Sequence, residues 1–200
     1  MLAPGETTHG DIDQGWLLPE PAVRAAIHTR SIVCRSFRRS DALIDIDARF
    51  IDTRPFTYVN DFRGTCQAGS ALHNLQMRVT LDERRHIVAV VSAMPATPYG
   101  SCIGVNPNFQ RLVGLSMGRG FRKAVRERLG GVEGCTHMLA LLDAMAAASA
   151  QAFASNRYAP RQPGEAPPAT VWKLEALVDT CWSYKSGSNV MLQLQQRQGR

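Results

Sequence analysis

No two of the five cysteines are spaced as CxxC, no apolar run is long enough for a membrane span, and lysine is scarce beside arginine. Each shortage excludes something. Cys34, Cys66, Cys102, Cys135 and Cys181 are odd in number and widely scattered, unlike the framework of a small secreted disulfide protein, so free or metal-bound thiols are expected. The longest apolar stretch is broken by Asp143 and small alanines, well short of the roughly 20 apolar residues a bilayer requires. The opening "MLAPGETTHGDIDQG" lacks the basic start and apolar middle of a signal peptide, so a cytoplasmic protein without a membrane partner is expected. P-loop, dinucleotide fingerprint and Ser/His/Asp elbow are all missing.

What is present describes a globular chain of 200 residues, 44% apolar and 20% charged, enough for one domain with a real core. The net charge of +6 is carried mainly by arginine, whose planar fork suits carboxylates and phosphates, so an anionic small molecule is an expected partner. No aromatic platform accompanies the charge, which argues against nucleic acid.

Residues 1–22 are polar and proline-punctuated and read as a flexible arm, leaving 23–195 as a single domain and 196–200 as a frayed end. In "ALIDIDARFIDT", Ile44, Ile46, Ala48 and Phe50 alternate with Asp45, Asp47 and Arg49, the period of a half-buried strand whose aspartates face solvent. It pairs with residues 31–38. A second hairpin follows the loop "TYVNDFRGTCQAGS": His73, Leu75, Met77, Val79 and Leu81 share one face, and Asp-Glu-Arg-Arg turns the chain into "HIVAVVSAM".

The period then changes to that of a helix. "NPNFQRLVGL" reads as a short helix with Asn106 as cap and Pro107 in its first turn, and "GRGFRKAVRERLGG" as a second. The longest runs from Cys135 to about Ser155 with Met138, Leu141, Leu142, Met145, Ala148, Ala152 and Phe153 as its stripe. A Pro/Gly loop over about 156–169 leads to a returning segment that ends in a strand. Strands before helices imply an α+β domain, with an antiparallel sheet of about four to six strands and helices on one face. The alanine-rich long helix has few polar positions, so a homodimer that buries its second face is a natural arrangement.

Chemistry concentrates at "GGVEGCTH". Cys135 and His137 stand at the first turn of the long helix, where free N–H groups favour an anion, so the pair serves either as catalytic nucleophile and base or as metal ligands. Gly130, Gly131 and Gly134 let something approach the backbone closely. Cys102 falls at another strand-to-helix junction; with Cys181, His73 or an aspartate it completes a set suited to zinc or an iron–sulfur cluster. In the enzyme alternative, Cys135 and His137 act on an anionic aromatic or acyl-CoA metabolite, in hydrolase or lyase chemistry, held by Arg122, Arg54, Arg63 and Tyr99. The face formed by Arg119, Arg122, Lys123 and Arg126 suits phosphate or serves as a solvated surface. Asp52, Arg54, Tyr58, Asp61 and Arg63 either bind a ligand or pair to hold their loop down.

The stretches "DIDARFIDTRPF", "LHNLQMRVTLDE", "MPATPYGSC", "GRGFRKAVRERLGGVEGCTHMLALL" and "LVDTCWSY", in that order, resemble a bacterial family of unknown function, DUF2889. The resemblance covers nearly the whole chain after about residue 28, and it implies no activity. Members of that family carry histidine where this chain has Trp182. A more distant likeness is to the NifU-type iron–sulfur scaffold and SufE-like fold, whose order of hairpin, junction cysteine, helices and Cys/His-headed alanine helix matches the middle of this chain. That likeness implies ligand positions at Cys102 and Cys135 and a sulfur- or metal-handling role.

Overall fold

The computed structural model describes Leu18 and residues 22–156, 158–161 and 177–198. Most of the expected N-terminal arm and of the Pro/Gly loop lie outside the described residues. Four long strands, β1 (Thr29–Arg38), β2 (Ile44–Thr53), β5 (Ala71–Leu81) and β6 (Ile87–Ala96), form an antiparallel sheet in the order β1-β2-β5-β6. The two hairpins expected from alternation are therefore joined side by side, β2 against β5. The loop between them carries its own small hairpin, β3 (Tyr58–Asn60) with β4 (Gly64–Cys66).

Alternation delivers one continuous apolar face. Ile46, Phe50, Leu75, Val79 and Leu81 are fully or almost fully buried, and the helices cover that face. A 3-10 helix (Gly100–Leu112) lies against β6, α1 (Phe121–Leu129) follows, and α2 (Thr136–Asn156) crosses β1 and β2. This is the expected α+β architecture. By length and composition α2 is apolar enough to cross a bilayer, with mean hydropathy 1.3. Here its Met138, Leu141, Leu142, Met145 and Phe153 complete the core instead.

Several local expectations are corrected. Pro107 lies inside the 3-10 helix, which begins at Gly100, and the Asn106 side chain accepts a hydrogen bond from Ser92 Oγ (2.9 Å) rather than capping a helix. Asp45 does not face solvent: it is 8% exposed, accepts a 2.7 Å hydrogen bond from Thr80 Oγ1, and is approached by the Arg39 and Arg78 side chains. A central strand flanked by long arginines buries even its outer face.

Ala148 and Ala152 pack partly buried against the core, and Ser149, not expected on the stripe, is fully buried between them, accepting a hydrogen bond from Arg85 Nη2 at 2.8 Å. The returning segment ends in a helix, α3 (Asn189–Gln198), not a strand. Ser188 caps it by accepting the Met191 N–H at 3.2 Å, and residues three apart, Met191 and Leu194, share its more buried side. Two turns of helix had mimicked alternation.

Candidate active site

The sheet ends in charge where its apolar rows run out. Cross-strand register places Arg30, Asp52 and His73 side by side on β1, β2 and β5, one pair of positions beyond Ile32, Phe50 and Leu75 on the same inner face. The first turn of α2 brings His137 onto this row, while its other end meets the opposite end of β1, where Arg38 Nη1 donates to Asn156 Oδ1 at 3.3 Å.

Asp52 is 1% exposed and accepts four hydrogen bonds. Arg30 Nε (2.8 Å) and His28 Nε2 (3.0 Å) reach Oδ1, while Arg30 Nη2 (3.0 Å) and His73 Nδ1 (2.9 Å) reach Oδ2. Burial by itself would raise this carboxyl, but Arg30 first, and then His28 and His73, more than offset it and hold it below the usual carboxylate range. The His73 and His137 rings lie with centroids 4.0 Å apart, tilted by 36°. Phe50 floors the group: His137 meets it edge-on at 5.4 Å, His73 at 6.2 Å, and the Arg30 guanidinium lies over it at 4.5 Å.

Both imidazoles are pushed below the ordinary histidine value. Burial is the main cause for each, reinforced at His137 by the Arg30 charge and at His73 by His137. Neutral imidazoles, with a lone pair ready to take a proton or a metal, result at neutral pH. The stability consequence has a definite sign. An unfolded histidine titrates near about 6.5, so below that pH the unfolded chain takes up protons that the folded site resists. Stability from these two histidines is complete above that value and is lost as the pH falls through it toward the depressed folded values. Thermal unfolding should occur at a lower temperature at pH 5.5 than at 7.5, with a flatter dependence in the His73→Gln/His137→Gln double variant. An unchanged slope in that variant would remove these groups as the cause. Asp52 acts in a separate window, its contribution being lost only below about pH 4.

Cys135 stands immediately before α2, its carbonyl accepting the Leu139 N–H at 2.9 Å, and its Sγ lies 3.8 Å from His137 Nδ1. The glycines before it serve the junction with α1. A side chain on Gly134 would run into the Leu129 carbonyl and one on Gly130 into the Arg126 carbonyl. What approaches these glycines is the end of α1 itself, and this contact sets where α2 starts.

Among the described residues, the group able to share an ion is Asp52, His73 and His137, with ligand atoms within 4.8 Å of one another. His73 and His137 are thus brought together. Cys102, in the first turn of the 3-10 helix, and exposed Cys181 are not part of that group. Arg122 pairs with Asp143 (2.9 Å) beside an open cavity of about 700 Å³ between α1 and α2, which Lys123 and Arg126 also line. Arg54 stacks on Tyr58, Arg63 donates to the Ala71 and Leu72 carbonyls, and Tyr99 meets Phe62 edge-on.

The residues that sequence reading missed are His28 and Arg30. A signal for the row was nonetheless present: Asp52 continues the inward series Ile46, Ala48, Phe50, and a charge in phase with a core face requires a partner.

A family profile described as protein of unknown function (DUF2889) matches residues 28–151, a span that holds every residue of this site. No curated protein and no solved structure gave a match, so the NifU-type likeness gains no support from them.

Proposed function

Given that the chain belongs to the DUF2889 family over residues 28–151, we propose that it is an enzyme of hydrolase type in which Cys135 is the nucleophile and His137 its base. The supporting observation is the 3.8 Å approach of Cys135 Sγ to a half-buried, neutral His137 at the start of a 21-residue helix. The thiol proton passes to Nδ1 as sulfur attacks an electrophilic acyl carbon; the leaving group departs with that proton, and water then releases the acid. His73, fixed through Nδ1 by Asp52, packs against His137 and holds its ring in place, as an orienting third group does.

Thiol reactivity tests this without a known substrate. Iodoacetamide labelling at pH 7.5, mapped by mass spectrometry, should modify Cys135 at least about tenfold faster than exposed Cys181, and His137→Gln should remove most of that advantage. Equal rates at the two cysteines would overturn the reading.

One observation favours a second reading, a metal centre: the Asp52, His73 and His137 ligand atoms lie within 4.8 Å. The donor chemistry fits it less well. The two oxygens of Asp52 already serve four donors, leaving no lone pair free, and Arg30 would repel a divalent cation placed there. Near-stoichiometric zinc or iron in protein purified without chelator, and lost in His73→Gln, would replace the first reading with this one.

A further inference from the structure

We propose that the lobe between β2 and β5 is a binding site for a small aromatic carboxylate. The lobe leaves β2 two residues after Asp52 and rejoins the sheet two residues before His73, so it stands at the edge of the site. It carries two arginines, Arg54 and Arg63, and among the described residues neither has a carboxylate within salt-bridge distance. Asp61 reaches neither, so among the described residues no ion pair neutralises their charge, although Arg63 also ties the lobe to β5 through backbone carbonyls.

Arg54 lies over the Tyr58 ring, its Cζ 4.2 Å from the centroid, a contact that leaves its N–H donors unspent. Arg63 spends Nη1 on the Ala71 and Leu72 carbonyls (3.1 and 3.3 Å) and keeps its other nitrogens. The Tyr58 hydroxyl is buried without an oxygen or nitrogen partner; its polar neighbour is the thiol of Cys66 across the strand pair, a weak partner that an oxyanion would better. Tyr58 pairs in register with buried Cys66 and is half-buried.

The ring chemistry narrows the ligand from any anion to an aromatic acid. Phe62 meets Tyr99 edge-on at 5.0 Å and Phe56 meets Tyr58 at 6.5 Å, while Phe56, Phe62 and Tyr99 remain 45%, 72% and 47% exposed. Exposed aromatics packed against one another on a lobe that carries two guanidinium groups without carboxylate partners offer a ring both an apolar face and a charged end. That the bound acid is substrate to Cys135 rests on the function proposed above; that the lobe binds it does not.

Titration of the full chain with benzoate, acetate and inorganic phosphate, followed by NMR, tests the assignment. Benzoate should bind and shift the lobe resonances, at least about tenfold more tightly than acetate or phosphate. Arg54→Gln/Arg63→Gln should weaken it about tenfold or more. Arg54→Lys, which keeps charge and fold but loses the planar fork, should weaken it several-fold. His137→Gln should leave it unchanged, so failure of the Cys–His reading and failure of this one are separable. Absence of benzoate binding, equal affinity for acetate, preference for phosphate, or full affinity in the double variant would each overturn it.

Discussion

Phe50→Ala should cost about 3–5 kcal/mol of folding stability, the range for emptying a fully buried aromatic position. The ring is 0% exposed in the central strand β2 and contacts His73, His137 and Arg30 on its far side. Its loss therefore removes core and the floor of the site together. Urea unfolding of the purified variant measures the first effect, and iodoacetamide labelling of Cys135 in the folded baseline measures the second. A loss below about 1 kcal/mol would mean that neighbours collapse into the space and that the ring is not what positions the imidazoles.

Asp52→Asn is the second large effect and tests organisation rather than volume. The amide keeps the shape but removes the charge that four donors share, leaving Arg30 without its bidentate partner and the Nδ1 of His73 with a weaker acceptor. Breaking a buried pair by removing one member costs about 3–5 kcal/mol, but Arg30 is 43% exposed and can rehydrate, so about 2–3 kcal/mol is expected at pH 7. The loss should shrink below about pH 4, where the unfolded wild-type chain takes up a proton at this carboxyl that the folded site resists. Denaturation at pH 7 and pH 3.5 gives both numbers. A cost below about 0.5 kcal/mol at pH 7 would show that the carboxylate is a passenger in the row.

Outside the core, sequence legibility varied with how closely local period matched three-dimensional environment. β2 and β5 were readable because their inner face is dry, and Ile46, Phe50, Leu75 and Val79 fall on alternate positions to line it. α3 was not readable. In "NVMLQLQQ" alternate apolar residues satisfy a strand as well as two turns of helix, and the Ser188 cap decides for the helix. Asp45 was misplaced because period reports which side a residue is on, while burial also depends on what reaches across from Arg39 and Arg78.

The sequence by itself determined that two hairpins precede the helices, that His73 and Phe50 share the inward face of their strands, and that Cys135 and His137 head the long helix. All of these follow from local spacing. Only the tertiary structure decided that the β2–β5 register sets Asp52 beside His73, that β1 adds Arg30 and His28, and that Cys102 and Cys181 stay out of the group. The row joins residues from 28 to 137 in the chain, and pairing across such distances is fixed by strand register and helix docking. Hydrophobic period selects a face, but it carries no label for the partner that face will meet.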